Sequence, residues 1–97
     1  MDKGSLCKFV LWENGNPIVG ATVGLDLDGD GRIDFIVQTD RYGQACFDDV
    51  EYGTHHIYVD INNDNVWDTS AEPVHVFSEY TELTNLYPLS SVIWRPN

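Results

Sequence analysis

Two nine-residue stretches carry oxygen-bearing side chains at the same positions: Asp26-Leu27-Asp28-Gly29-Asp30-Gly31-Arg32-Ile33-Asp34 and Asp60-Ile61-Asn62-Asn63-Asp64-Asn65-Val66-Trp67-Asp68. Side chains at positions 1, 3, 5 and 9 can converge on one hard cation, and position 7, Arg32 or Val66, offers its backbone carbonyl. Position 6 takes a sharp turn, which Gly31 makes freely and Asn65 tolerates better than most residues. Position 8 is apolar in both copies, Ile33 and Trp67, as expected of a residue that pins each loop to a core. The chemistry expected of these loops is binding of Ca2+ at two sites, because an all-oxygen set with many ligands favours calcium over magnesium. Asp, Asn and Gly also populate ion-free exposed turns, so the argument for metal rests on the two copies agreeing at six positions.

Neither loop is an EF-hand. The twelfth position, where a bidentate Glu would sit, is Val37 in the first loop and Ala71 in the second, and neither is flanked by helical periodicity. Coordination is then completed by Asp34 and Asp68, by water, or by nearby groups such as Asp40 and Glu72. Little other chemistry stands out. His55 and His56 are adjacent on one strand, so they point to opposite faces, and no Cys or second His on the same face completes a metal site. The sequence contains no Gly-x-Ser-x-Gly, His-Glu-x-x-His or phosphate-binding glycine loop. An enzyme is therefore not expected. Trp12, Trp67 and Trp94, with five tyrosines, raise carbohydrate binding by ring stacking as an alternative function. Their competing role is core and edge packing, above all for Trp67 at its position in the loop.

The elements that must position these residues read as strands. Seven short segments alternate with turn signals, near Ser5 to Trp12, Ala21 to Leu27, Ile33 to Gln38, Gln44 to Asp48, Thr54 to Asp60, Val74 to Ser78 and Glu82 to Leu89. No helical stripe appears, and the class expected is an all-β, seven-stranded sandwich forming a single domain over residues 1–97. Alternation predicts a core of Val23, Leu25 and Leu27, of Ile33, Phe35 and Val37, and of Ile57 and Val59. Each acidic loop joins consecutive strands, two to three and five to six, so antiparallel running predicts that the loops lie at opposite poles.

Ninety-seven residues, 42% hydrophobic and 12% aromatic, supply one small core. The net charge of -11 comes from 16 acids against five Lys and Arg, and seven of those acids are in the two loops. Such a charge disfavours nucleic acid and anionic membranes as partners, and it strains the metal-free chain by self-repulsion. No apolar run approaches membrane-spanning length, and the first residues lack a signal-peptide core. Because calcium is plentiful outside cells, the expectation is an excised or processed extracellular module, with a virion or phage decoration or fibre domain as an alternative.

The run Glu13-Asn14-Gly15-Asn16-Pro17-Ile18-Val19-Gly20-Ala21-Thr22-Val23, followed by Thr39-Asp40, Gly43, Phe47, Val50 and Gly53-Thr54, resembles carboxypeptidase regulatory-like domains and the collagen-adhesin B-type repeats of bacterial surface proteins. The resemblance covers roughly residues 8 to 60. It implies a prealbumin-like, inverse-immunoglobulin sandwich and a non-catalytic module that spaces, stiffens or docks. Calcium loops between strands are similar to those of serine-aspartate-repeat adhesin B repeats; the first loop also resembles integrin-type propeller repeats, but a propeller needs many copies. Adhesin repeats of this kind often carry an internal Lys-to-Asn isopeptide bond. Alignment on Glu13-Asn14-Gly15 puts Val10 at the lysine position, with Lys8 two residues earlier, so no such bond is expected and Lys8 reads as solvated. The prealbumin-like order also makes the strands of Cys7 and Cys46 neighbours with both thiols outward. A disulfide there fits an oxidising location, and two unpaired thiols are the alternative. His55 falls where the family has an inward Tyr, so a hydrogen-bonded core histidine is expected.

The first strand is apolar on both faces: Leu6, Val10 and Trp12 alternate with Cys7, Phe9 and Leu11. Outward Phe9 and Leu11, with Val92, Ile93 and Trp94 near the end, form the expected interface for self-association or for neighbouring domains. The function expected is a calcium-stabilised structural module or subunit of an extracellular surface assembly, such as an adhesin stalk or filament.

Overall fold

The computed structural model describes residues 2–69 and 71–89. Among these, seven strands and no helix are present: β1 Lys3–Trp12, β2 Thr22–Asp26, β3 Phe35–Gln38, β4 Gln44–Glu51, β5 Gly53–Asp60, β6 Glu72–Val76 and β7 Tyr80–Tyr87. They form two sheets, ordered β4-β1-β7 and β3-β2-β5-β6, packed face to face as the expected sandwich. β1 is antiparallel to β4 but parallel to β7, with Ser5 opposite Tyr80 and Trp12 opposite Tyr87. Its inward residues are buried against the facing sheet, while Phe9 and Leu11 on the outer face stay half-buried.

Alternation along each strand fills the space between the sheets. In β5, Ile57 and Val59 turn inward with His55 while His56 and Tyr58 face out; in β2, Val23 and Leu25 turn inward. Each such fully buried aliphatic contributes about 1.5–3 kcal/mol of apolar burial. Two expected core residues are placed differently. Phe35 is 52% exposed, because β3 is an edge strand and the facing sheet is one strand narrower. Ile33 lies in the loop before β3, where alternation does not hold, and packs over Gly24.

The β2–β5 register sets Asp26 opposite His56 and Thr22 opposite Asp60. Asp26 and Asp60 therefore stand at opposite ends of this strand pair, as the strand count predicts. The largest departure concerns Lys8. It shares the inward parity of Leu6 and Val10 and is 0% exposed, not solvated.

Candidate functional site

The two acidic loops share most of one hydrogen-bond pattern, differing only in whether the position-1 Asp takes the N–H of position 4 or position 5. At position 1, Asp26 accepts the N–H groups of Asp28 (3.1 Å), Gly29 (2.9 Å) and Gly31 (2.9 Å). Asp60 accepts those of Asn62 (3.4 Å), Asp64 (3.3 Å) and Asn65 (2.9 Å). At position 5, Asp30 and Asp64 accept the N–H of Arg32 and Val66. At position 9, Asp34 and Asp68 reach back to the N–H of Leu27 and Ile61. The position-6 residues, Gly31 and Asn65, take φ of 84° and 67°, the left-handed turn their types allow. Both pins land on one spot. Trp67 and Ile33 pack where a Cβ on Gly24 would come within 2.9 and 3.0 Å of them, so the absent side chain at Gly24 is what lets both loops lie on the sheet.

The loops differ in how far their ligands have gathered. Carboxylate oxygens of Asp60, Asp64 and Asp68 lie within 4.8 Å of one another, a cluster the first loop does not match among the described residues. The Asn62 amide joins them: its oxygen is turned toward Asp60 and Asp64, and turned over, its nitrogen would donate to them at 3.0 and 3.1 Å. In the first loop the Asp28 carboxyl is pushed above its ordinary value by the charge of Asp34, then by burial and by Asp30 and Asp26. Burial pushes Asp26 up too, but the N–H groups of Gly31, Asp28 and Gly29 outweigh it and hold it below the usual range. Of the groups expected to complete coordination, Asp40 caps its own turn through the N–H groups of Tyr42 and Gln44, and Glu72 is turned elsewhere.

Glu72 opens β6 with the same inward parity as Val74 and Val76, and one of its oxygens takes a 2.6 Å salt bridge from Lys8 Nζ. The same oxygen accepts Asn85 Nδ2 at 3.4 Å. Asn85 lies on the inward face of β7 between Leu83 and Tyr87. Three strands from two sheets thus bring an amine, a carboxylate and a carboxamide together. Burial pushes the Lys8 pKa down from its ordinary value, and the hydrogen bond and charge of Glu72 offset part of that shift. A buried lysine with a lowered pKa is a nucleophile in waiting, and a carboxamide beside it is an electrophile. Parity alone carried the signal: polar residues stand at inward positions of β1, β6 and β7.

Cys7 and Cys46 are direct cross-strand partners of β1 and β4 and form a disulfide on the outer face. His55 is buried and hydrogen-bonds the carbonyls of Leu27 (2.9 Å) and Glu51 (2.6 Å), a core histidine as expected. Trp67 is half-buried, tilted against Tyr58 at 5.5 Å between ring centres, and borders a groove of about 410 Å³ with Ile36, Thr22 and Asn63. Its ring forms one wall of this groove. Phe9 and Leu11 face outward and are half-buried, beside Leu86, which is 58% exposed. Val92, Ile93 and Trp94 lie outside the described residues.

No protein-family profile matches the chain, and no curated protein is similar to it. Solved structures share its fold. It is similar to the Bacillus anthracis TIE protein (TM-score 0.72, 20% identity, covering 90% of this chain and 16% of that one). It is similar also to a Streptococcal ancillary pilin (TM-score 0.69, 14% identity, 91% and 30% covered). A third is BcpA, the major pilin subunit of Bacillus cereus (TM-score 0.68, 15% identity, 88% and 30% covered). The chain spans less than a third of the length of each, and the likeness is one of fold: a β-sandwich of the kind found in pilin subunits, consistent with the prealbumin-like expectation.

Proposed function

We propose that this chain is a structural module of an extracellular filament or surface stalk, whose first and last strands become joined by an amide between Lys8 and Asn85. The observation that carries this reading is the buried Lys8 bound to a Glu72 oxygen that also holds the Asn85 carboxamide. The amine of Lys8 attacks Asn85 Cγ, the new Cγ–Nζ bond replaces the Cγ–Nδ2 bond, and ammonia leaves. Of the three protons on charged Lys8, one stays on the new amide. Two travel through Glu72 to the departing nitrogen, which leaves as ammonium, and Glu72 ends as the carboxylate it began. Nothing is oxidised or reduced. The chain acts on itself once and has no further catalytic role.

Intact-mass measurement of the purified protein tests this. The mass should fall short of the sequence by the two hydrogens of the disulfide and by one ammonia. Lys8→Arg and Asn85→Ala should each retain the ammonia. A wild-type chain of full mass, apart from the disulfide, overturns the reading.

The acidic loops are proposed to hold one Ca2+ each, through Asp26, Asp28, Asp30, Asp34 and the Arg32 carbonyl, and through Asp60, Asn62, Asp64, Asp68 and the Val66 carbonyl. The gathered oxygens of Asp60, Asp64 and Asp68 and the repulsion raising Asp28 support this, since a cation relieves both. The cross-strand disulfide supports an oxidising, extracellular setting. The pilin-like fold and the outward Phe9 and Leu11 support association with other copies or domains of a surface assembly.

A further inference from the structure

Tyr87 sits two residues beyond Asn85 on β7, so both side chains enter the space between the sheets from the same face. It is 9% exposed, and its hydroxyl is buried without a hydrogen-bond partner among the described residues. An orphaned buried hydroxyl costs about 1–3 kcal/mol and calls for an explanation. Burial pushes the phenol above its ordinary pKa; the Asn85 amide pulls it partly back and the Glu72 charge adds to the rise. The hydroxyl is thus close enough to Asn85 and Glu72 to feel both, its contact with the Asn85 amide falling short of full hydrogen-bond geometry.

An O–H donor kept idle beside an electrophile has a use once the reaction begins. Attack on Asn85 Cγ turns the carboxamide oxygen into an oxyanion. Glu72 takes the proton that Lys8 gives up, but that proton is committed to the departing carboxamide nitrogen it already contacts. We propose that the Tyr87 hydroxyl is the hydrogen-bond donor for the oxyanion formed when Lys8 attacks Asn85, making Tyr87 a fourth catalytic residue of the cross-link. This rests on the cross-linking reading above. The donor stays unpaired before reaction and is paired as charge develops, so its interaction lowers the barrier rather than stabilising the starting state.

The test follows cross-linking of freshly translated full-length chain by the loss of ammonia in intact mass, for wild type and Tyr87→Phe. Phenylalanine keeps the ring, and disulfide formation and the melt report folding. Tyr87→Phe should fold and should cross-link roughly 10² times more slowly, the usual effect of removing one oxyanion donor. The wild-type rate should fall at alkaline pH as the phenol ionises, and a fluorinated, more acidic tyrosine at position 87 should move that fall to lower pH. Equal rates for wild type and a folded Tyr87→Phe overturn this role and leave the cross-link standing. A wild-type chain that never loses ammonia overturns both.

Discussion

Lys8 has no surface in contact with water, and its partner Glu72 is partly exposed, so the pair is asymmetric. Glu72 can swing to solvent, whereas Lys8 cannot. In Asn85→Ala, which cannot cross-link, Lys8 keeps its amine with a folded-state pKa below the ordinary 10.5. The unfolded chain then binds more protons between those two values, so stability rises with pH across that window. As the pH rises toward about 10, Asn85→Ala should gain stability in urea melts while Asn85→Ala combined with Lys8→Met should not. Equal slopes for the two would show that Lys8 is not held in a desolvated site. The cross-link itself closes a loop from residue 8 to residue 85; if it acts as a disulfide of similar span does, its loss costs about 4 kcal/mol. Asn85→Ala should therefore melt roughly 15 °C or more below wild type in calorimetry. Lys8 was legible all along. The alternation that sent Leu6 and Val10 inward sends Lys8 inward too, but alignment on the following turn gave the lysine role to position 10 and hid it. Glu72 was harder, because the expected strand began two residues late at Val74, and Asn85, though inside its expected strand, had no local signal that placed it beside Lys8.

At the scale of elements, the turn geometry of the loops was legible because it is local. Turn residues, spacing and the apolar pin all lie within nine residues, and the matched hydrogen bonds of the two copies follow from that. What spacing could not give was Gly24, where both pins meet. A Cβ there must push Trp67 and Ile33 aside, an overpacking worth about 1–3 kcal/mol. Gly24→Ala should therefore weaken calcium binding at both loops in titration calorimetry, whereas Asp64→Ala should remove one binding event and spare the other. Independent behaviour of the loops in Gly24→Ala would show that the shared contact does not couple them. Calcium should also raise the melting temperature and chelator lower it by several degrees, by linkage. The edge strand β3 shows the converse limit: alternation assigns Phe35 a direction, but only the width of the facing sheet decides whether anything covers it.

For the whole molecule, half-buried Phe9 and Leu11 and exposed Leu86 form an apolar row across β1 and β7 on the outer face of the three-stranded sheet. Phe9→Glu should leave the melt within about 1 kcal/mol of wild type, since this face adds little to the core, while abolishing any self-association seen by sedimentation. An unfolded Phe9→Glu would place the residue in the core and remove the argument for a contact there. Fold class and strand number were accessible from sequence because each depends on pattern, and the disulfide was one of two outcomes left open by the strand order that the family resemblance implies. The Lys8–Glu72–Asn85 cluster was not, because it depends on which inward positions of distant strands coincide.

The parallel pairing of β1 with β7 has a mechanical meaning. A pull on residues before β1 and after β7 tries to slide these two strands past each other along their length. With Lys8 and Asn85 joined, tension would run from the start of β1 through the amide and out along the end of β7. Residues 9 to 84, with both acidic loops and most of the core, would hang beside the taut line as slack that never tightens. Without the amide, the Cys7–Cys46 disulfide would still bridge residues 8 to 45, and the stretch from 46 to 84 could pay out roughly 130 Å of chain before becoming taut. Ions and core would then govern resistance to heat and proteases, while a single side-chain amide would govern resistance to force.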